Sequence, residues 1–142
     1  MTSTWRVAAE EFKKGEDRSA MDVLATGIFG RKLDSLPPAN LMAIMQNAPA
    51  MKALTLSSEP FPKVSSDKLK RIIHPVLVVT GENTTKIHKL VDKELLRHLP
   101  NASEAIIPQA GHGSPRENSP VFNETVLKFL ATAANKQVRQ KR

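Results

Sequence analysis

Apolar residues recur at helical spacing through the first half of the chain. Val7, Ala8 and Phe12 predict a helix opened by Ser3 or Thr4 and closed by Gly15. Met21, Leu24 and Ile28 predict a second helix, capped by Asp17 and ended by the Gly27 and Gly30 that bracket Phe29. Pro37 and Pro38 open a third, because the first amides of a helix need no acceptor. Its stripe is Leu41, Ile44, Met45 and Ala48, and Pro49 is expected to break or kink it. From Thr55 to Ser65, serine and proline interrupt the pattern, and a connector is expected. Ser66 and Asp67 then open a short helical turn presenting Leu69 and Ile72.

The second half alternates strand and helix. Val76, Leu77, Val78 and Val79 form a continuous apolar run ended by Gly81, the pattern of a parallel strand covered on both faces. Thr84 or Thr85 caps a helix whose buried face is expected to be Ile87, Val91, Leu95 and Leu99, with Lys86, Lys89, Lys93 and Arg97 on its solvent side. Ala105, Ile106 and Ile107 make a shorter strand, followed by a loop from Pro108 to Pro115. Ser119 and Pro120 start a last helix with Phe122, Val126, Phe129 and Leu130 inward. The fold class is therefore α/β: a helical region over residues 1–65, a parallel β-α-β unit with a closing helix over 66–135, and a basic tail over 136–142.

Composition narrows the chemistry. The chain has 142 residues, 40% of them apolar and 25% charged, as in ordinary globular domains. No apolar run is long enough to span a membrane. With no cysteine, disulfides, a thiol nucleophile and thiolate-bound zinc are excluded. A formal charge of +7 raises nucleic-acid binding, but Lys136, Arg139, Lys141 and Arg142 crowd one end while the other basic residues alternate with acids. Without tyrosine and with few aromatics there is no evident stacking platform, so a solvated tail is the expectation. The N-terminal residues lack a signal-peptide pattern, and the cytoplasm is the default location.

Several segments together resemble the α/β-hydrolase superfamily. Ile72-Ile73-His74-Pro75-Val76-Leu77-Val78-Val79-Thr80-Gly81-Glu82-Asn83 is similar to the penultimate strand of that fold and its turn. Leu99-Pro100-Asn101-Ala102, Ile106-Ile107-Pro108 and Ala110-Gly111-His112-Gly113 resemble its last strand and histidine loop. Ser119-Pro120-Val121-Phe122-Asn123 with Val126, Phe129 and Leu130 resembles its closing helix. Phe12-Lys13-Lys14-Gly15 and Leu36-Pro37-Pro38 through Asn47-Ala48 resemble the helical cap inserted before the penultimate strand. The resemblance implies a partial α/β-hydrolase fold, hydrolysis of an ester, amide or related bond in the complete family, no cofactor, and a small apolar substrate to which the methionine-bearing cap hints.

In that family a nucleophile, a histidine base and an orienting carboxylate act in sequence. The resemblance makes His112 the base. It leaves the acid open: the usual aspartate position, three residues past the glycine, is Thr84, and Glu82 is the nearby carboxylate. No serine here has glycine at both flanking offsets, so the resemblance implies a nucleophile upstream of Met1 and a chain inactive alone. His88 and Asp92, one turn apart, do not make a closed metal site, and His74 and His98 read as packing or capping residues. An isolated two-strand sheet would expose an apolar edge, for which a homodimer or a companion chain is the expected partner. The other reading is a non-catalytic interaction module built on the same half-fold.

Overall fold

The computed structural model describes residues 3–61 and 63–140, with residues 135–140 as backbone only. It divides into two compact units, Met1–Lys63 and Val64–Arg142.

The first unit is helical. Helix α1 spans Ser3–Lys14, α2 Asp17–Phe29, α3 Pro38–Gln46 and α4 Ala48–Leu56, with a short 3₁₀ turn at Leu33–Ser35 between α2 and α3. Trp5, Ala8 and Phe12 of α1 pack with Ala20, Met21, Leu24 and Ala25 of α2, Leu33 and Ala48. The expected inward face of α1 turns by part of a step: Trp5 is buried and Val7 is exposed. Alanines on both helices keep the side chains between their axes short, and the larger Phe12 and Leu24 are fully buried in the same cluster. Gly15 and Gly30 take positive φ and end α1 and α2, the positions where a side chain would be strained. Gly27 is interior to α2 and lies under the side chain of Thr4, so it does not punctuate the helix end.

Two local expectations change. Pro49 begins α4 within its first turn and disturbs no helix, since its missing N–H falls where no acceptor waits. Thr55, placed in the connector, is a buried residue of α4. Pro62 lies outside the described residues.

The second unit opens with α5, Ser66–Lys70, whose Ser65 side chain accepts from the amide of Lys68. Strand β1 is Val76–Gly81 and β2 is Ala102–Ile107, joined by helix α6, Lys86–His98. The strands pair in parallel, Val76 opposite Ala102 through Gly81 opposite Ile107. At the entry end Val76 donates to the carbonyl of Asn101, whose side chain donates to the carbonyl of Ile73. Helix α7, Ser114–Glu117, interrupts what was expected to be loop, and α8, Ser119–Gln140, closes the chain. The side chains over 136–140 and residues 141–142 of the basic tail lie outside the described residues.

Burial is thinner than the apolar pattern predicts. Val78 is buried, but Val76, Leu77 and Val79 are half-buried. On α6 Leu99 is buried at the C-terminal boundary, Leu95 is half-buried, and Ile87 and Val91 are 46% and 51% exposed. Leu130 of α8 and Ile106 of β2 are exposed as well. Two strands offer too little apolar surface to cover the whole inner face of a 13-residue helix. His74 is exposed, so it does not pack. No described helix is long and apolar enough to cross a membrane.

Candidate active site

The chemistry-bearing loops meet at the C-terminal ends of the two strands. Glu82 donates its amide to the carbonyl of Ile107, and Asn83 donates to the carbonyl of Ala110 at 2.7 Å. These bonds lay the turn after β1 against the loop after β2. Contact is closest at Gly81, where a β-carbon would collide with the carbonyls of Ala110 and Gly111. Only glycine lets the two backbones approach this far.

The loop is braced from its other side by α7. The amide of Gly111 donates to the carboxylate of Glu117, and the side-chain amide of Asn118 donates to the carbonyl of Pro108 at 3.0 Å. Gln109 adopts φ 57, the left-handed region, and turns the chain out of β2. Ala110 is fully buried, so the loop is pinned immediately before His112 reaches solvent.

His112 is exposed, and its ring lies face to face with that of His88, centroids 4.0 Å apart and planes inclined by 17°. The Nδ1 atom of His88 is 2.9 Å from the Thr85 hydroxyl. Thr85 holds the N-cap position of α6, but its side chain serves His88 instead of capping the helix. Burial, and then the neighbouring His112, hold the proton affinity of His88 below the usual imidazole range, with Asp92 pulling the other way. Asp92 accepts from the Thr80 hydroxyl at 2.9 Å, which ties α6 to β1. No group of three or more metal-ligating side chains occurs among the described residues.

Glu82 reaches the same loop by a different route. Its carboxylate accepts from the amide of Gln109 at 2.8 Å, three residues before His112, and its carbonyl accepts from Lys89. Thr84, where the resemblance puts an aspartate, is buried, and its hydroxyl has no hydrogen-bond partner among the described residues. His98 pairs with Glu94 on α6. The contributions of Glu117, His88 and the Thr80–Asp92 bond escaped the sequence. Only the Thr85-to-His88 spacing, one helical turn, was there to be read.

Parallel strands joined by a crossover helix, with a histidine loop at their carboxyl ends, define an α/β protein. The chain carries a partial α/β-hydrolase fold. No protein-family model and no curated protein matches it. Among solved structures it is similar to MenH from S. aureus, at TM-score 0.65 and 20% identity, over 90% of this chain and 50% of that one. It is similar to BpoC from Mycobacterium tuberculosis H37Rv, described as a non-heme bromoperoxidase, at 0.62 and 21%, over 91% of this chain and 51% of that one. It is also similar to the carboxylesterase CesB (YbfK) from Bacillus subtilis, at 0.51 and 27%, over 68% and 35% respectively. The chain spans about half the length of the first two of these structures.

Proposed function

We propose that this chain is the back half of an α/β-hydrolase, in which His112 is the general base for cleaving an ester, amide or related bond. The observation that carries the reading is the seating of the histidine loop at the carboxyl ends of two parallel strands, held by Gly81 against Ala110 and Gly111. In open α/β sheets, ligands bind at those strand ends. A base there withdraws the proton of a nucleophilic hydroxyl as it attacks, then returns it to the leaving group. No serine of this chain has the glycine-flanked elbow, so a front half on another stretch of polypeptide supplies the nucleophile, and the chain alone does not turn over.

The remaining parts follow from that reading. Glu82, committed to the Gln109 amide, steadies the loop that carries His112, and the orienting acid comes from the front half. The helical first unit serves as the cap, and its methionines favour an apolar substrate. No cofactor is required. The open edge of β1 and the exposed Ile87, Leu90 and Val91 of α6 receive the front half or a second copy of the chain, in the cytoplasm. A second reading, a non-catalytic interaction module, draws on Thr84, which puts no carboxylate at the family's acid position.

The test is reconstitution. The reading frame upstream of Met1 is translated and searched for a strand followed by Gly-x-Ser-x-Gly, and that segment is expressed with this chain. Turnover of a short acyl ester is expected only when both are present, falling on the order of 10²–10⁴-fold in His112→Ala. Turnover indifferent to His112→Ala would sink the hydrolase reading. A stable pair without turnover in either form would favour the interaction module.

A further inference from the structure

We infer that the free edge of β2, with the groove beside it, is the interface for a second copy of this chain. The two copies pair antiparallel through β2, about a two-fold axis at Ala105. This holds whether or not the hydrolase reading does, because a front half on β1 still leaves β2 at the edge of the sheet.

The backbone sets out what that edge offers. Asn101 and Ile107 give their carbonyls to the amides of Val76 and Glu82, so these alternate residues turn toward β1. Ala102, Glu104 and Ile106 therefore turn their N–H and carbonyl groups to the free edge, where a further strand would pair with them. Ile106 stands opposite Thr80, whose hydroxyl bonds Asp92, so the Ile106 and Glu104 side chains face α6. There they line an open groove of ≈ 510 Å³ with Leu96, Lys89, Lys93 and Glu82, and Ile106 is exposed in it.

Charge selects the occupant. Two lysines and two glutamates line the groove, a balance that attracts neither a polyanion nor a polycation. Lys89 is engaged by the Glu82 carbonyl, and the Glu82 carboxylate by the Gln109 amide. Lys93 and Glu104 line the same groove, yet neither forms an ion pair among the described residues. A two-fold interface needs both signs on one patch, because each patch meets a copy of itself. Glu104 opposite Glu104 would set like charges together, which excludes that register. With Ala105 opposite Ala105, Glu104 of one copy lies beside Ile106 of the other. That is the level of Asp92 and its neighbour Lys93, so each Glu104 meets the Lys93 of the other copy.

Amide hydrogen exchange at low and high protein concentration tests this on the full chain. The Glu104 and Ile106 amides face the free edge, and concentrating the chain should slow their exchange by about tenfold or more. The Ser103 and Ala105 amides, turned toward β1, should not change. Glu104→Lys and Lys93→Glu should each weaken dimerisation by at least about tenfold, because like charges are brought together. The double reversal restores opposite signs across the axis and should recover most of that loss. The chain has no cysteine, so Ala105→Cys gives a single reporter, and mild oxidation should link two copies. Glu124→Cys, on the exposed face of α8, should stay unlinked. Edge amides that ignore concentration, a double reversal as weak as either single change, or unlinked Ala105→Cys would overturn the inference. Association through the Ile87 and Val91 side of α6 leaves all three readouts unmoved. The cross-link needs no charge reversal, so it decides even where a reversed variant fails to fold.

Discussion

Gly81 touches Gly111 backbone to backbone: the last residue of β1 has no room for a β-carbon beneath the carbonyl of the histidine loop. The obstacle is main chain on both sides, so no side chain can swing away to relieve it. Gly81→Ala must therefore push the loop off the strand ends or strain β1, at a cost of about 1–3 kcal/mol. Urea denaturation should show that loss, and hydrogen exchange should quicken at the Asn83 amide, whose acceptor is Ala110. Unchanged stability with unchanged exchange would mean the close approach is absent in solution.

Glu117 offers a gentler handle on the same loop. Its carboxylate accepts from the Gly111 amide across an exposed surface, where a charge-assisted bond contributes about 1 kcal/mol. Glu117→Gln should cost up to that amount and speed exchange selectively at Gly111. Glu124→Gln, on the exposed face of α8, serves as the control and should do neither. Equal effects from the two variants would remove Glu117 from the support of the loop.

Much of the second unit was legible because its signals are local. The run Val76 to Val79, ended by glycine, can be little other than a parallel strand, and Pro120 marks the start of the last helix. Helix α7 was not legible: four residues carry no periodicity, and Pro115 reads equally as loop. The side-chain geometry at the site was also beyond reach. Glu82 and His112 are 30 positions apart in the chain, and whether the carboxylate faces the ring or the Gln109 amide depends on how the loop turns at φ 57. The stacking of His88 on His112 is a tertiary contact between residues with no spacing to betray it. The faces of α1 and α6 were misread for one reason: periodicity gives the apolar stripe, and the neighbours available decide which part of it is covered.

That uncovered stripe has a measurable consequence. Leu90 and Val91 are each 51% exposed and Ile87 is 46% exposed, on one side of α6. Apolar surface of this kind favours association with a partner or a second copy. Leu90→Lys with Val91→Lys should shift the chain toward monomer in light scattering. Its stability should change by no more than about 0.5 kcal/mol per site, as expected for surface positions. A chain that is monomeric before the change would show that this face does not drive self-association. A large loss of stability would show that the residues are covered within the fold.

The His88 imidazole makes stability depend on pH in a fixed direction. Unfolded, His88 takes up its proton near the ordinary value of about 6.5. Folded, burial first and His112 second delay that uptake, although Asp92 partly opposes them. As pH falls through the ordinary value, the unfolded chain therefore holds more protons than the folded one, and acid favours unfolding until the folded-state value is passed. Urea denaturation at pH steps from neutral to mildly acidic should show stability declining across that window. In His88→Phe, which cannot titrate, the same decline should be shallower. Parallel slopes in the two proteins would show that the proton on His88 is as welcome in the folded chain as in water, and the face-to-face contact could not then carry a like-charge penalty.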